Sequence, residues 1–175
     1  MKKQDILENQ ANKVYLSLGS NLGNRINNLE LAKYILFAEG VNILKSSSFY
    51  KTNSWPNKNF PYYLNIVLFA KTHLKLTELF EKVKFIEKIM GRKVDKKNYP
   101  RICDIDIIDF NGLCLKSKFK NHNIEVPHIN MHRRNFVLMP LYEVDKSWFH
   151  PKIKKNVVYL LSKLSFKDLR TIKFN

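Results

Sequence analysis

Apolar and polar positions alternate in part along Val14-Tyr15-Leu16-Ser17-Leu18, and the residues are strand formers. The run Gly19-Ser20-Asn21-Leu22-Gly23-Asn24 then supplies turn and capping chemistry. From Arg25 to Ala38 the period changes: Ile26, Leu29, Leu31, Ala32, Ile35 and Leu36 give an apolar side at helical spacing, and Gly40 stands where a helix stop is expected. Val41 to Thr52 and Tyr62 to Thr72 are rich in β-branched and aromatic residues and predict two strands, joined by a loop over Asn53 to Pro61. Leu76, Leu79, Phe80, Val83, Ile86, Ile89 and Met90 recur at steps of three and four and predict a second helix ending at Gly91.

Beyond the basic, turn-rich stretch Gly91 to Pro100, Ile102 to Phe110 reads as a strand. Asn111-Gly112 then signals a hairpin with a short return strand at Leu113 to Leu115. Arg133 to Val144 predicts a helix despite Pro140, and Val157 to Leu164 a shorter one. The order strand, helix, strand, strand, helix, strand is the split βαβ plan. It predicts an α/β (α+β) fold with a ferredoxin-like βαββαβ core, a mixed, mainly antiparallel sheet and C-terminal additions.

A length of 175 residues suits one domain, expected from 14 to 175 after a loose tail over 1–13. The tail begins Met1-Lys2-Lys3, but Asp5, Glu8 and Asn9 interrupt the apolar stretch a signal peptide requires. Apolar runs such as Phe136 to Tyr142 fall far short of the roughly 20 residues that span a bilayer. Cys103 and Cys114 are too few for a disulfide framework, and a reducing cytoplasm is expected. The net charge of +16 attracts phosphate-rich partners, nucleotides and nucleic acids alike, although many of these lysines need only be solvated.

The most informative chemistry lies in Tyr99-Pro100-Arg101-Ile102-Cys103-Asp104-Ile105-Asp106-Ile107. On a strand, residues i and i+2 share a face, so Asp104 and Asp106 project together and Ile105 and Ile107 project the other way. Two carboxylates on one surface repel unless neutralised, and a hard divalent cation does this directly. The neighbouring basic loop, with Arg92 and Lys93, could close over phosphates held by the same metal, which points to a nucleoside triphosphate. The glycines at 19 and 23 lack phosphate-loop spacing and read as a strand-to-helix turn. Trp55, Phe60, Tyr62 and Tyr63 lie close to Asn57, Asn59 and Asn65, so that ring faces and amides could bind a planar heterocycle. Val126-Pro127-His128, followed by Arg134 and Phe136, adds cations and another aromatic.

These segments, in this order, resemble the 6-hydroxymethyl-7,8-dihydropterin pyrophosphokinases of folate biosynthesis. The likeness rests on Leu18-Gly19-Ser20-Asn21-Leu22-Gly23-Asn24-Arg25, Ser48-Phe49-Tyr50-Lys51-Thr52, Tyr63-Leu64-Asn65, Pro100 to Ile107, and Val126-Pro127-His128 with Arg134 and Phe136. It implies transfer of pyrophosphate from ATP to the pterin hydroxymethyl group with release of AMP. Asp104 and Asp106 would ligate two magnesium ions. Tyr63 and Phe136 would sandwich the pterin, Thr52 and Asn65 would contact its polar edges, and Trp55 would close the pocket. Glu87, His128 and Arg134 match positions implied in ATP binding, and Arg92 and Arg101 match basic residues that settle on the phosphates. Lys84, Tyr99 and Ile129 depart from the common pattern.

The resemblance also implies small-molecule substrates alone, with no nucleic acid and no membrane, and a monomer. The short tail predicts a monofunctional chain. Two other readings compete: a basic RNA-binding module on the same fold, and a degenerate relative that binds ATP and pterin without turnover. The first should show an RNP1-like run, which the sequence lacks.

Overall fold

Val14, Leu16 and Leu18 turn to one side of the first strand and are wholly buried, while Tyr15 and Ser17 turn to the other and are nearly so. A strand buried on both faces belongs inside a sheet with a layer on each side. The computed structural model, which describes residues 10–54, 57–92 and 99–174, places it there. In chain order the elements are β1 (Asn12–Ser20), α1 (Arg25–Ala38), β2 (Val41–Ser46), β3 (Tyr50–Thr52), β4 (Tyr63–Thr72), α2 (Leu76–Ile89) and β5 (Asp104–Phe110). There follow β6 (Leu115–Phe119), β7 (His122–Val126), a 3-10 turn Met131–Arg133, α3 (Asn135–Val144), α4 (Val157–Ser162), α5 (Phe166–Arg170) and β8 (Lys173–Phe174).

The main sheet runs β5-β1-β4-β3-β8, with β2 also paired to β4, and every ladder among the described residues is antiparallel. This is the expected ferredoxin-like order, with β2 and β3 together standing as the second strand. One core holds Leu29, Ala32 and Leu36 of α1 and Leu79, Val83 and Ile86 of α2 against Leu16, Leu18, Ile66 and Ile105. The opposite core holds Val137, Leu138 and Leu141 of α3 and Leu160 of α4 against Tyr15, Val67 and Ile108. Each such aliphatic side chain contributes about 1.5–3 kcal/mol on burial. Asn24 caps α1 by accepting from Asn27 N at 3.1 Å. Beyond α2, Gly91 adopts φ +88°, the left-handed conformation that lets the chain turn towards the sheet.

The strand expected over Val41 to Thr52 is two strands. The register shifts between Ile43 and Lys45, and at Ser47 the backbone N–H donates to Val67 O while Ser47 Oγ accepts from Val67 N, each at 2.9 Å. A side chain thus replaces one rung of backbone pairing. The turn at Asn111 and Gly112 forms, with φ of 53° and 71°, but among the described residues no return strand pairs with β5. Instead β6 pairs with β7 in a separate two-stranded sheet, which buries Ile124 and Val126 in the core beside α2. The outer edge of β5 is met by His128, whose N–H donates to Ile108 O at 2.9 Å. Pro140 lies inside α3, where the lost backbone hydrogen bond is tolerated because Leu138 and Leu141 beside it are fully buried.

Candidate active site

Alternation along β5 sends Ile105 and Ile107 into the core beside α1 and α2 and leaves Asp104 and Asp106 on the opposite face, about one-third exposed. Neighbouring acids at i and i+2 stand roughly 7 Å apart along a strand. The register sets Asp104 opposite Gly19 and Asp106 opposite Ser17 on β1. Gly19 is in turn opposite Asn65 of β4, and Asn65 opposite Tyr50 of β3. One row across the sheet therefore reads Asp104, Gly19, Asn65, Tyr50. A Cβ at Gly19 would lie 3.1 Å from Asn65 Oδ1 and 3.4 Å from Tyr63 Cδ1, so the bare backbone keeps the row open. Asn65 Nδ2 donates to Thr52 Oγ1 at 2.9 Å, which fixes the amide and joins two of the residues expected at a heterocycle edge.

Cations converge on the acid pair from three directions. Arg92, just past α2, places Nη1 2.7 Å from Asp104 Oδ1, and Arg101, just before β5, reaches the same oxygen at 2.9 Å. Arg134, at the start of α3, lies 3.2 Å from Asp106 Oδ2, and His128 Nε2 lies 3.8 Å from that oxygen. Burial disfavours the Asp104 carboxylate, but the guanidinium groups of Arg101 and Arg92 outweigh it and hold the carboxyl below its ordinary value. Burial pushes the His128 imidazole down against the opposing field of Asp106. Arg134 also sits 5.6 Å from the centroid of the Phe136 ring. Phe136 belongs to the helix that packs on the face of β4 bearing Tyr63 and Asn65. Burial raises the Tyr63 hydroxyl, which stays neutral.

Glu87 is only 2% exposed and stands behind the row. Its Oε1 accepts from Ile105 N at 2.9 Å and pairs with Arg92, and its Oε2 accepts from Lys84 Nζ at 2.8 Å. Burial raises the carboxyl, with Lys84 opposing. As placed, Glu87 bears on the site through Arg92. Of the other expected residues, Trp55 lies outside the described residues, as do Lys93, Lys96 and Lys97.

Asn21 has a role that the turn chemistry of its segment does not announce. It is 1% exposed; its Nδ2 donates to Ser54 Oγ at 3.1 Å and to Pro61 O at 3.3 Å, and its Oδ1 accepts from Arg101 N at 2.7 Å. One amide thereby joins the loop before β4 to the arginine segment before β5. An asparagine between two glycines is the only local signal, because its partners stand 33, 40 and 80 residues away.

The family model described as 7,8-dihydro-6-hydroxymethylpterin-pyrophosphokinase (HPPK) matches residues 15–146. The chain belongs to this family. It is 39% identical over 147 residues to the 2-amino-4-hydroxy-6-hydroxymethyldihydropteridine pyrophosphokinase of Aquifex aeolicus, covering 81% of this chain and 86% of that one. It is 30% identical over 162 residues to the Haemophilus influenzae protein of the same name, covering 92% and 97%. Accordingly the chain is a pyrophosphokinase with a role in folate biosynthesis.

Longer relatives also match. The chain spans 22% of the folic acid synthesis protein fol1 of Pneumocystis carinii, at 31% identity. A Plasmodium falciparum HPPK-DHPS structure with pterin and p-hydroxybenzoate superimposes with a TM-score of 0.75 at 15% identity, over 95% of this chain and 48% of that one. That likeness supports the fold. Among the described residues no helix is long and apolar enough to cross a membrane.

Proposed function

We propose that the protein transfers the pyrophosphoryl group of ATP to the hydroxymethyl oxygen of 6-hydroxymethyl-7,8-dihydropterin, releasing AMP, with magnesium required. The observation that carries this reading is the surface on which Asp104 and its neighbour Asp106, ringed by Arg92, Arg101 and Arg134, adjoin Gly19 and Asn65. A triphosphate and a heterocycle with a hydroxyl arm would meet at that junction.

The donor set suits magnesium. Among the described residues no three His, Cys, Asp or Glu side chains converge on one point, and the site supplies two carboxylates, both partly exposed. Magnesium takes one or two protein carboxylates and completes its shell with water and phosphate oxygens. When bound, two such ions would neutralise the triphosphate and clamp the attacking and leaving oxygens of an in-line displacement.

The chain's own residues do the positioning. Arg92 and Arg101 would bind the phosphates and offset charge on the leaving AMP oxygen, and Arg134 and His128 would hold the far side of the nucleotide. Glu87 would serve ATP from behind, by fixing Arg92. Tyr63 and Phe136 would stack on the pterin, Thr52 and Asn65 would read its edge, and Trp55 would cover it. Holding the hydroxyl in line with the β-phosphorus supplies most of the rate. In this reading the protein works as a monomer in the cytoplasm, as one domain from 14 to 175, with small-molecule partners and no nucleic acid.

The test is to incubate the protein with ATP, magnesium and the pterin, and to quantify AMP, ADP and pterin diphosphate. Pterin-dependent AMP that vanishes with EDTA is the expected result. ADP in its place would overturn pyrophosphoryl transfer, and tight binding of both substrates without turnover would mark a degenerate binder.

A further inference from the structure

The segment from Ser165 to Phe174 lies beyond the residues matched by the family model, and it contributes no buried residue to either core. Phe166 and Phe174 are each 69% exposed. The segment is nonetheless built. Ser165 Oγ caps α5 by accepting from Asp168 N at 3.0 Å, and two separate ties fasten the segment to the rest of the protein.

The first tie is to β3. That strand has only three residues; one edge pairs with β4, and the other pairs with β8 through Tyr50 opposite Phe174 and Lys51 opposite Lys173. The Phe174 ring lies 4.8 Å from the Tyr50 ring. Without β8, β3 would be a three-residue edge strand, the kind of element that opens locally at little cost. The second tie is to α3. Asn135, the first residue of that helix, donates from Nδ2 to Asp168 O at 2.5 Å and to Thr171 Oγ1 at 3.0 Å, while its Oδ1 accepts from Phe136 N at 2.7 Å.

Both ties end next to residues assigned above to the pterin. Thr52 follows Lys51 in β3, and Phe136 follows Asn135 in α3. We propose that Ser165 to Phe174 forms a positioning strap that holds the polar edge and one aromatic face of the pterin pocket at a fixed separation, with Asn135 and Phe174 as its positioning residues. The assignment rests on the proposed function. A strap of this kind pre-organises a pocket without touching its ligand, so it acts on pterin binding and leaves the phosphate end of the site alone.

Two full-length variants test it. Lys173→Pro/Phe174→Ala removes the strand pairing and the ring contact, both at exposed positions. Asn135→Asp keeps an acceptor for Phe136 N and removes the donor to the strap. Each should raise the KM for the pterin roughly three- to tenfold, and the first, made away from Arg134, should leave the KM for ATP unchanged. In the first variant, amide exchange at Tyr50 to Thr52 should also quicken without ligand present. Wild-type turnover with an unaltered pterin KM in both variants overturns the strap alone, as does an equal change in both KM values in the first variant, which would mark general destabilisation. Wild-type protein that releases no AMP with the pterin overturns the proposed function, and the strap with it.

Discussion

Arg92 Nη1 lies 2.7 Å from Asp104 Oδ1, and the same nitrogen pairs with Glu87, so one guanidinium joins a buried acid of α2 to a partly exposed acid of β5. Glu87 also accepts from the N–H of Ile105, the residue after Asp104. The end of α2 and the start of β5 are therefore locked together where the phosphates are proposed to bind. Positive charge is stored beside the acid pair before any ligand arrives, and the site need not gather it during the reaction.

Asp104→Ala should abolish turnover while the fold survives, because Asp104 is not part of either apolar core. Loss of a residue that only supports a metal ligand costs about 10–100-fold, so loss of the ligand itself should exceed about 100-fold. Pterin-dependent AMP release, alongside circular dichroism, checks this. Unchanged activity would remove Asp104 from the metal assignment.

Gly19→Ala should act on the pterin rather than on ATP. Its Cβ would press on Asn65 Oδ1 at 3.1 Å and on the Tyr63 ring. A pterin KM raised about tenfold, equivalent to ~1.4 kcal/mol, is expected with little change for ATP. Steady-state kinetics with each substrate varied in turn would show it, and equal effects on both would contradict the geometry.

Asp109 sits on the same strand as Asp104 and Asp106 but does a different job. It is 4% exposed, and its oxygens accept from Gly112 N and Trp148 Nε1, each at 2.9 Å. Asp109→Ala leaves the buried Trp148 Nε1 without a partner and releases Gly112 N in its exposed turn, and should cost about 1–3 kcal/mol. Denaturant unfolding should register that loss while both KM values stay near wild type; a selective kinetic defect would mean the strand's two ends are coupled.

His150 predicts how stability follows pH. It is 2% exposed, and its Nδ1 accepts from Lys152 N and Ile153 N, a role open only to the neutral ring. Burial, with His132 and Lys152 nearby, brings its pKa from 6.5 down to about 4. Between those values the unfolded chain binds more protons, so this contribution is full above pH 6.5 and is lost as pH falls towards 4. The slope is at most ~1.4 kcal/mol per pH unit. His150→Gln should flatten the fall in melting temperature between pH 7 and 5, and an unaltered slope would assign it to other groups.

Much of this protein is legible along the chain because local periodicity reports burial directly. The alternation of Val14 to Leu18 and the helical spacing of Leu76 to Ile86 mark the central strand and α2. The step of two from Asp104 to Asp106 already places two carboxylates on one face, and the family resemblance adds their neighbours. The split of Val41 to Thr52 was not legible, since it depends on Ser47 meeting Val67 across the sheet. Nor was the pairing of β6 with β7, because the turn at Asn111 specifies a reversal of direction and not the strand that receives it.

The βαββαβ order, the acid pair and the surplus of positive charge are readable along the chain, being properties of residues close together in it. Folding in three dimensions is what brings Glu87 under the Ile105 N–H, lets Asn21 link Ser54 and Pro61 to Arg101, and makes Gly19 clear space beside Asn65. Those contacts form between segments separated by many residues, where strand register and helix packing, rather than local periodicity, set the distances.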